Sequence, residues 1–403
     1  MERKLKIMIT ASIIVLQCLH AMCLTSIFIT FLDFTEIVGT TLENITIAIT
    51  VRNCMICVGS IFGTLIYKHL NRQMVFAFFV ALEALVVAIM PHVTSFAIHV
   101  GLNVILGFSG GALETDCFVM VAELWKENAN PVIQGLTLAM NVAFVITPLF
   151  ISPFLSQSEV DADASCTEGS NITSTTNVTM HSNLTAIEVA EKQPSRIWLP
   201  FAILAAFMFL GAYITVMFEC YKIKDEKRKK NSIACEENTE EKVVPKQEVP
   251  MSYKVPFLII CCLMTGIFWG FIGIFFQFWI IFVVFSDLRL TKAKGATMIS
   301  VFSFAIAGGS FLSLIASIKF KPLVMMGVLQ TVLIIGNCLL VSSSGPEIIW
   351  WIGGFLVALV SGGHYSFIYN LAQEKVGITD VVGSMLIVSA YLIPATGFPI
   401  LIA

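Results

Sequence analysis

Two carboxylates, Glu114 and Asp116, close the stretch SGGALETD at 109–116, inside a run that is otherwise apolar. FAIHVGLNVILGF precedes it and CFVMVAEL follows it. Adjacent carboxylates can hold a cation or divide acid and base work between them. Residues two apart on a helix, however, are turned about 200° from one another, so this pair cannot serve one site. Glu114 falls instead on a stripe with His99, Asn103, Gly107 and Gly110, all within about 80° on a helical wheel. Two readings follow. Glu114 and Asn103 line a polar path, or the carboxylate is a hydrogen-bonded packing group and the glycines serve close helix contact. Asp116 points elsewhere, into a cavity or a packing contact.

Other polar groups stand in equally apolar surroundings. Arg52 and Glu83 are isolated charges whose depths differ by roughly 7 Å, within reach of a long arginine. An internal Arg52–Glu83 pair and a role in binding solute are both open. Trp269, Gln277 and Trp279 sit among phenylalanines, where aromatics with one amide suit a sugar face or simply face lipid. His364, Tyr365, Tyr369 and Asn370 cluster further on, and His364 either titrates or packs. The candidate substrate-binding residues are Asn103, Glu114, Asn141, Gln277, Trp279, His364 and Tyr365. Cys54 and Cys57 have redox spacing but lie in an oily stretch, which favours packing.

What positions these groups follows from composition. Of 403 residues, 57% are hydrophobic and 13% charged, against roughly 25% charged in soluble domains. Such a chain cannot cover a water-facing surface, so it is an all-α membrane protein. With about 20 apolar residues per crossing, spans are expected at 7–31, 43–66, 74–91, 96–122, 132–155, 197–219, 253–285, 295–318, 323–342, 348–370 and 380–403. The first follows MERKLK, is too long for a signal peptide and lacks a small-residue cleavage site, so it stays as a span.

Of the 24 Lys and Arg residues, 18 fall in segments on the N-terminal side of the membrane and five on the other. The excess puts the N-terminus in the cytoplasm. Asn171, Asn177 and Asn183, each two residues before a Thr, crowd into the polar loop 156–195, which this orientation places outside as a glycosylation site. Residues 220–252, with KDEKRKK, read as a charged cytoplasmic linker.

The chain also repeats. AITVRNCMICVGS at 48–60 aligns with MISVFSFAIAGGS at 298–310, and Ser109-Gly110-Gly111 meets Ser361-Gly362-Gly363 at nearly the same offset. Each match pairs one span with the sixth after it, which predicts two parallel six-helix halves, 1–219 and 253–403. The second half then has five spans and its twelfth is missing, as in a truncated chain.

GTLIYKHLNR at 63–72 resembles the loop pattern G-x-L-x-D-R-x-G-R-K of the major facilitator superfamily, with Gly63, Leu65, Lys68 and Arg72 matching. Tyr67 replaces the aspartate that latches the halves in that family, which leaves the latch open to question. A denser resemblance runs through Glu114-Thr115, Leu124-Trp125, Pro131, Gln134, Leu136, Pro148 and Leu149, with Leu32-Asp33 and Trp279-Ile280. It is similar to the sodium-dependent glucose transporter 1-like branch. That branch implies alternating access about a midplane site, a small polar solute such as a hexose, and Na+ or H+ as coupling ion, without another cofactor. Where the family tends to place a buried glutamate and arginine, this chain has Gly273 and Gly309. The rival expectation is a non-transporting glycosylated protein of the same fold that escorts a partner. No nucleotide loop, metal cluster or nucleophile–base set points to an enzyme, and nothing points to nucleic acid. The expected partners are the solute and the lipid bilayer, the expected location the plasma membrane, and the oligomeric state is left open.

Overall fold

The computed structural model describes residues 3–155, 196–233, 250–285, 290, 292–341 and 346–402. Their regular structure is helical. The order is α1 (Arg3–Ile29), α2 (Phe31–Val38), α3 (Leu42–His69), α4 (Arg72–Ile89), α5 (Phe96–Trp125), α6 (Ala129–Ile151), α7 (Trp198–Ile233), α8 (Met251–Phe285), α9 (Lys292–Ser317), α10 (Pro322–Val341), α11 (Glu347–Lys375) and α12 (Asp380–Ile402). Among the described residues, nine stretches are long and apolar enough to cross a membrane, and one of them, Phe96–Ile151, holds both α5 and α6.

Local chemistry explains the breaks. Gly39 ends α2 at φ 64°, a left-handed conformation that costs glycine nothing. The Thr41 hydroxyl then accepts the Asn44 N–H at 3.3 Å, starting α3. Asn71 does the same for α4, accepting from Gln73 N and Met74 N at 3.1 and 3.3 Å. Hydroxyls inside the helices turn back on their own backbone, as Thr25 does to Ala21 O at 2.7 Å and Thr147 to Ala143 O at 2.6 Å. In hydrocarbon this satisfies a polar group without a second helix.

Two departures from the sequence reading concern segment ends. The first span stops at Ile29, and Phe31–Val38 forms a separate short helix. α7 continues beyond residue 219 to Ile233, and α8 begins at Met251, so helix takes up the first part of the charged segment 220–252. The sequons at Asn171, Asn177 and Asn183 lie outside the described residues.

The repeat is visible in the packing. α3 packs on α5 as α9 packs on α11, and α1 on α6 as α8 on α12. Glycines set the first pair of contacts. A Cβ on Gly59 would run into the Phe108 carbonyl, and one on Gly309 into the Leu359 carbonyl. Likewise Gly111 abuts Ile56 O, and Gly362 abuts Ile306 O. Gly111 therefore corresponds to Gly362, one residue off the register that aligning the two Ser-Gly-Gly runs implies. The halves meet through α3 on α12, α6 on α9 and on α11, and α5 on α12. α7 fills the space beside α1 and α4; the corresponding faces of α8 and α10 flank an open groove of about 310 Å³.

Candidate solute cavity

A cavity of about 410 Å³ lies between the two sets of helices. α1 contributes Phe28, α6 Thr137 and Asn141, α8 Trp269 and Gly273, α9 Ser303, and α11 Ser361 and Tyr365. A second lobe of about 220 Å³ lies against it, bordered by the same Phe28, Met140, Phe144, Trp269 and Gly273. We call it the polar lobe because it holds the ionisable side chains. His20 and Thr25 of α1, Arg52 and Asn53 of α3, and Tyr391 of α12 line it. One lobe thus offers aromatic faces with hydroxyls and an amide, the other a cation and several hydrogen-bonding groups. The combination suits a small polar body with one more strongly polar end.

Of the residues expected to bind solute, Asn141 and Tyr365 line this cavity. Asn141 also ties the halves together: its Nδ2 donates to Ser310 Oγ at 2.6 Å and to Gly362 O at 3.1 Å. Glu114 is set behind the polar lobe, accepting from the Tyr391 hydroxyl at 3.0 Å. Asn103 is buried one turn from His99, whose backbone oxygen it contacts at 2.9 Å. Neither Glu114 nor Asn103 is among the residues lining the two lobes, because the stripe they share faces α1 and α3. Gly107 abuts the Arg52 carbonyl, and Gly110 abuts the His20 ring.

His364 lines the groove between α8 and α10 instead, its ring stacked on Phe268 at 4.3 Å and 23°. Trp279 sits in an aromatic cluster with Phe275 and Phe302, at centroid distances of 4.9 and 5.0 Å. Gln277 is in α8, and its side chain lies outside what is described.

The expected Arg52–Glu83 pair is replaced by another. Both carboxylate oxygens of Glu83 are within 2.9 and 3.0 Å of His20 Nδ1. Arg52, 1% exposed, has no acceptor at Nε or Nη1 and lies over the Phe28 ring at 4.8 Å. Counting depths put Arg52 and Glu83 within reach but could not show that a closer histidine stood between them. An ionisable residue in the middle of an apolar span was the available signal for His20.

Asp116 has a different role from Glu114. Its Oδ1 is 2.7 Å from Arg72 Nε, while Arg72 Nη1 reaches Glu123 at 2.5 Å and Nη2 contacts Asp380. Asp380 opens α12, so this cluster joins the halves at one end of the cavity, helped by Thr64 Oγ1 donating to Asp380 O at 3.0 Å. This contact between the halves is made without the aspartate that Tyr67 replaces. The Tyr67 ring lies 5.5 Å from the Arg72 guanidinium, and its hydroxyl donates to Ala112 O at 3.3 Å.

The two glycines that stand where the resembling branch has charges differ in kind. Gly273 borders both lobes and has open space where a Cβ would project. Gly309 is jammed against the Leu359 backbone and could carry no side chain there.

Comparisons with known proteins agree with this architecture. The chain is 22% identical over 120 residues to sodium-dependent glucose transporter 1 of Xenopus laevis, a stretch covering 30% of this chain and 24% of that relative. Among solved structures it is similar to FucP, a major facilitator transporter captured in the outward conformation, with a TM-score of 0.66 at 16% identity. That match covers 98% of this chain and 91% of the other. The proton:xylose symporter XylE bound to 6-bromo-6-deoxy-D-glucose gives a TM-score of 0.64 at 12% identity, covering 100% and 90%. The family profile of the Major Facilitator Superfamily matches residues 13–397, nearly the whole sequence. The chain belongs to that superfamily.

Proposed function

We propose that the protein is a carrier for a small polar solute, a hexose in size and polarity, moved by alternating access. The pair of adjoining cavity lobes between the two sets of helices carries this reading. It is contributed by both halves, 1–219 and 253–403, as a site that rocks between two openings requires. The ion cluster of Arg72, Asp116, Glu123 and Asp380 supports it, because it is a breakable contact between halves at one end of that cavity.

The coupling ion is H+ or Na+. His20, Glu83 and Glu114 beside the polar lobe form a titratable group that favours a proton. The names of FucP and XylE as proton symporters of sugars point the same way. The N-terminus is cytoplasmic and the membrane is the plasma membrane in this reading. Uptake of a labelled solute panel into proteoliposomes, under a proton gradient, a sodium gradient or neither, tests it. Accumulation of no solute under any gradient would remove the carrier function.

A further inference from the structure

Arg52 presents a problem in charge. A guanidinium withdrawn from water is costly unless a counter-charge and hydrogen bonds replace its hydration. Arg52 is 1% exposed, and two of its three nitrogens, Nε and Nη1, are buried without an acceptor. The carboxylates nearest to it are committed elsewhere. Glu83 is held through both oxygens by His20, and Glu114 accepts from Tyr391. Facing the guanidinium from the other helices are Phe28 and His20 of α1, and Tyr391 of α12, none of which is an anion beside it. The Phe28 face offsets part of the charge by a cation–π contact. Gly273, which borders both lobes, has open space where a side chain would project and supplies no carboxylate there.

Arg52 also lines the polar lobe, beside Thr25 and Asn53. We propose that Arg52 is the anion-recognition residue of the cavity, and that the solute is a hydroxylated monocarboxylate of the hexuronate class. This rests on the carrier reading and names its substrate. A planar carboxylate accepts two parallel N–H bonds from a guanidinium, which supplies the acceptors that Arg52 lacks. One cation matches one negative charge, and a dianionic phosphate would leave a second charge buried. The larger lobe receives the ring, with Trp269 and Tyr365 as faces and Asn141, Thr137 and Ser361 for its hydroxyls.

The test is thermal stabilisation of the purified full chain by D-glucuronate, D-glucose and the methyl ester of D-glucuronate, at matched ionic strength. Glucuronate should half-saturate on the order of tenfold below glucose, the worth of one charge-assisted contact. The ester keeps the ring and loses the charge, so it should fall back to the glucose value. In Arg52→Gln the difference between glucuronate and its methyl ester should disappear, whatever the change in the glucose response. Arg52→Lys, which keeps charge but not the fork, should fall between. Should Arg52→Gln not fold, the ester comparison on the wild type decides alone. Equal response to glucuronate and its ester, or a preference for glucuronate over the ester that survives in Arg52→Gln, overturns the assignment. Uptake of glucose with no glucuronate effect sinks this inference but leaves the carrier; uptake of no solute of the panel under any gradient sinks both.

Discussion

His20 Nδ1 sits 2.9 Å from Glu83 Oε1, and the two side chains are 1% and 0% exposed. This contact crosses from α1 to α4 and fixes the histidine against Gly110 of α5. It also releases Arg52, which lines the same cavity beside Asn53 and Ile56, from pairing with Glu83.

The pair can be tested by rescue. Glu83→Leu alone leaves His20 buried without its partner, and His20→Leu strands the carboxylate. Where the pair is dry, each should cost ~3–5 kcal/mol. His20→Leu with Glu83→Leu should recover much of that loss in a thermal unfolding assay, whereas Arg52→Leu with Glu83→Leu should not. Rescue by the arginine change and not by the histidine change would reinstate the Arg52–Glu83 pair.

The cluster around Arg72 should set which end of the cavity is closed. Arg72→Gln removes its contacts to Asp116, Glu123 and Asp380 together. A coupling of ~1–3 kcal/mol corresponds to a shift of roughly 5-fold or more between states. Thr64, buried and bonded to Asp380 O, is a reporter position. A cysteine there, in a background without other cysteines, should be alkylated several-fold faster in Arg72→Gln. An unchanged rate would show that the cluster does not hold the halves.

Close helix contact at the glycines has a stability signature in both halves. Gly59→Ala and Gly309→Ala each drive a Cβ into a backbone carbonyl of the facing helix. Backbone shifts of that kind cost ~1–3 kcal/mol. Gly101→Ala, with nothing within 4 Å, is the control and should be neutral or slightly stabilising. Thermal unfolding of the three variants is sufficient, and similar midpoints for all would argue against tight packing there.

Glu114 and Tyr391 should behave as one unit across the halves. Tyr391→Phe takes away the donor at 3.0 Å and should cost ~1–3 kcal/mol. Glu114→Gln keeps an acceptor of the same size, so the fold should survive while the proton or sodium dependence of solute binding falls. A double-mutant cycle should give a coupling of ~0.5–3 kcal/mol. Additive losses would mean the hydrogen bond is not made.

The loop assignment has its own check. Replacing Asn171, Asn177 and Asn183 together by Gln should raise gel mobility to that of glycosidase-treated protein. An unchanged band would remove the support that these sequons lend to an external 156–195 loop.

Composition alone determined that the chain lives in a bilayer, because 13% charge cannot solvate a surface. Span lengths located most helices, since hydrocarbon leaves the backbone no partner but itself. The paired Gly-Ser and Gly-Gly positions revealed the repeat for a related reason. Close backbone approach admits only small residues, and that requirement is written residue by residue. A helical wheel separated Glu114 from Asp116 correctly, as rotation along one helix is a local property.

Partners were another matter. Which group meets Glu83, whether Arg72 spans to Asp380, and whether the Glu114 stripe looks into space or onto α1 depend on helices distant in sequence. A wheel gives a direction but not what stands there. His364 and Trp279 share helices with the cavity-lining Tyr365 and Trp269 but face other clusters. Only the packing of the two halves decides which face of each helix borders the cavity, because that space belongs to no single helix.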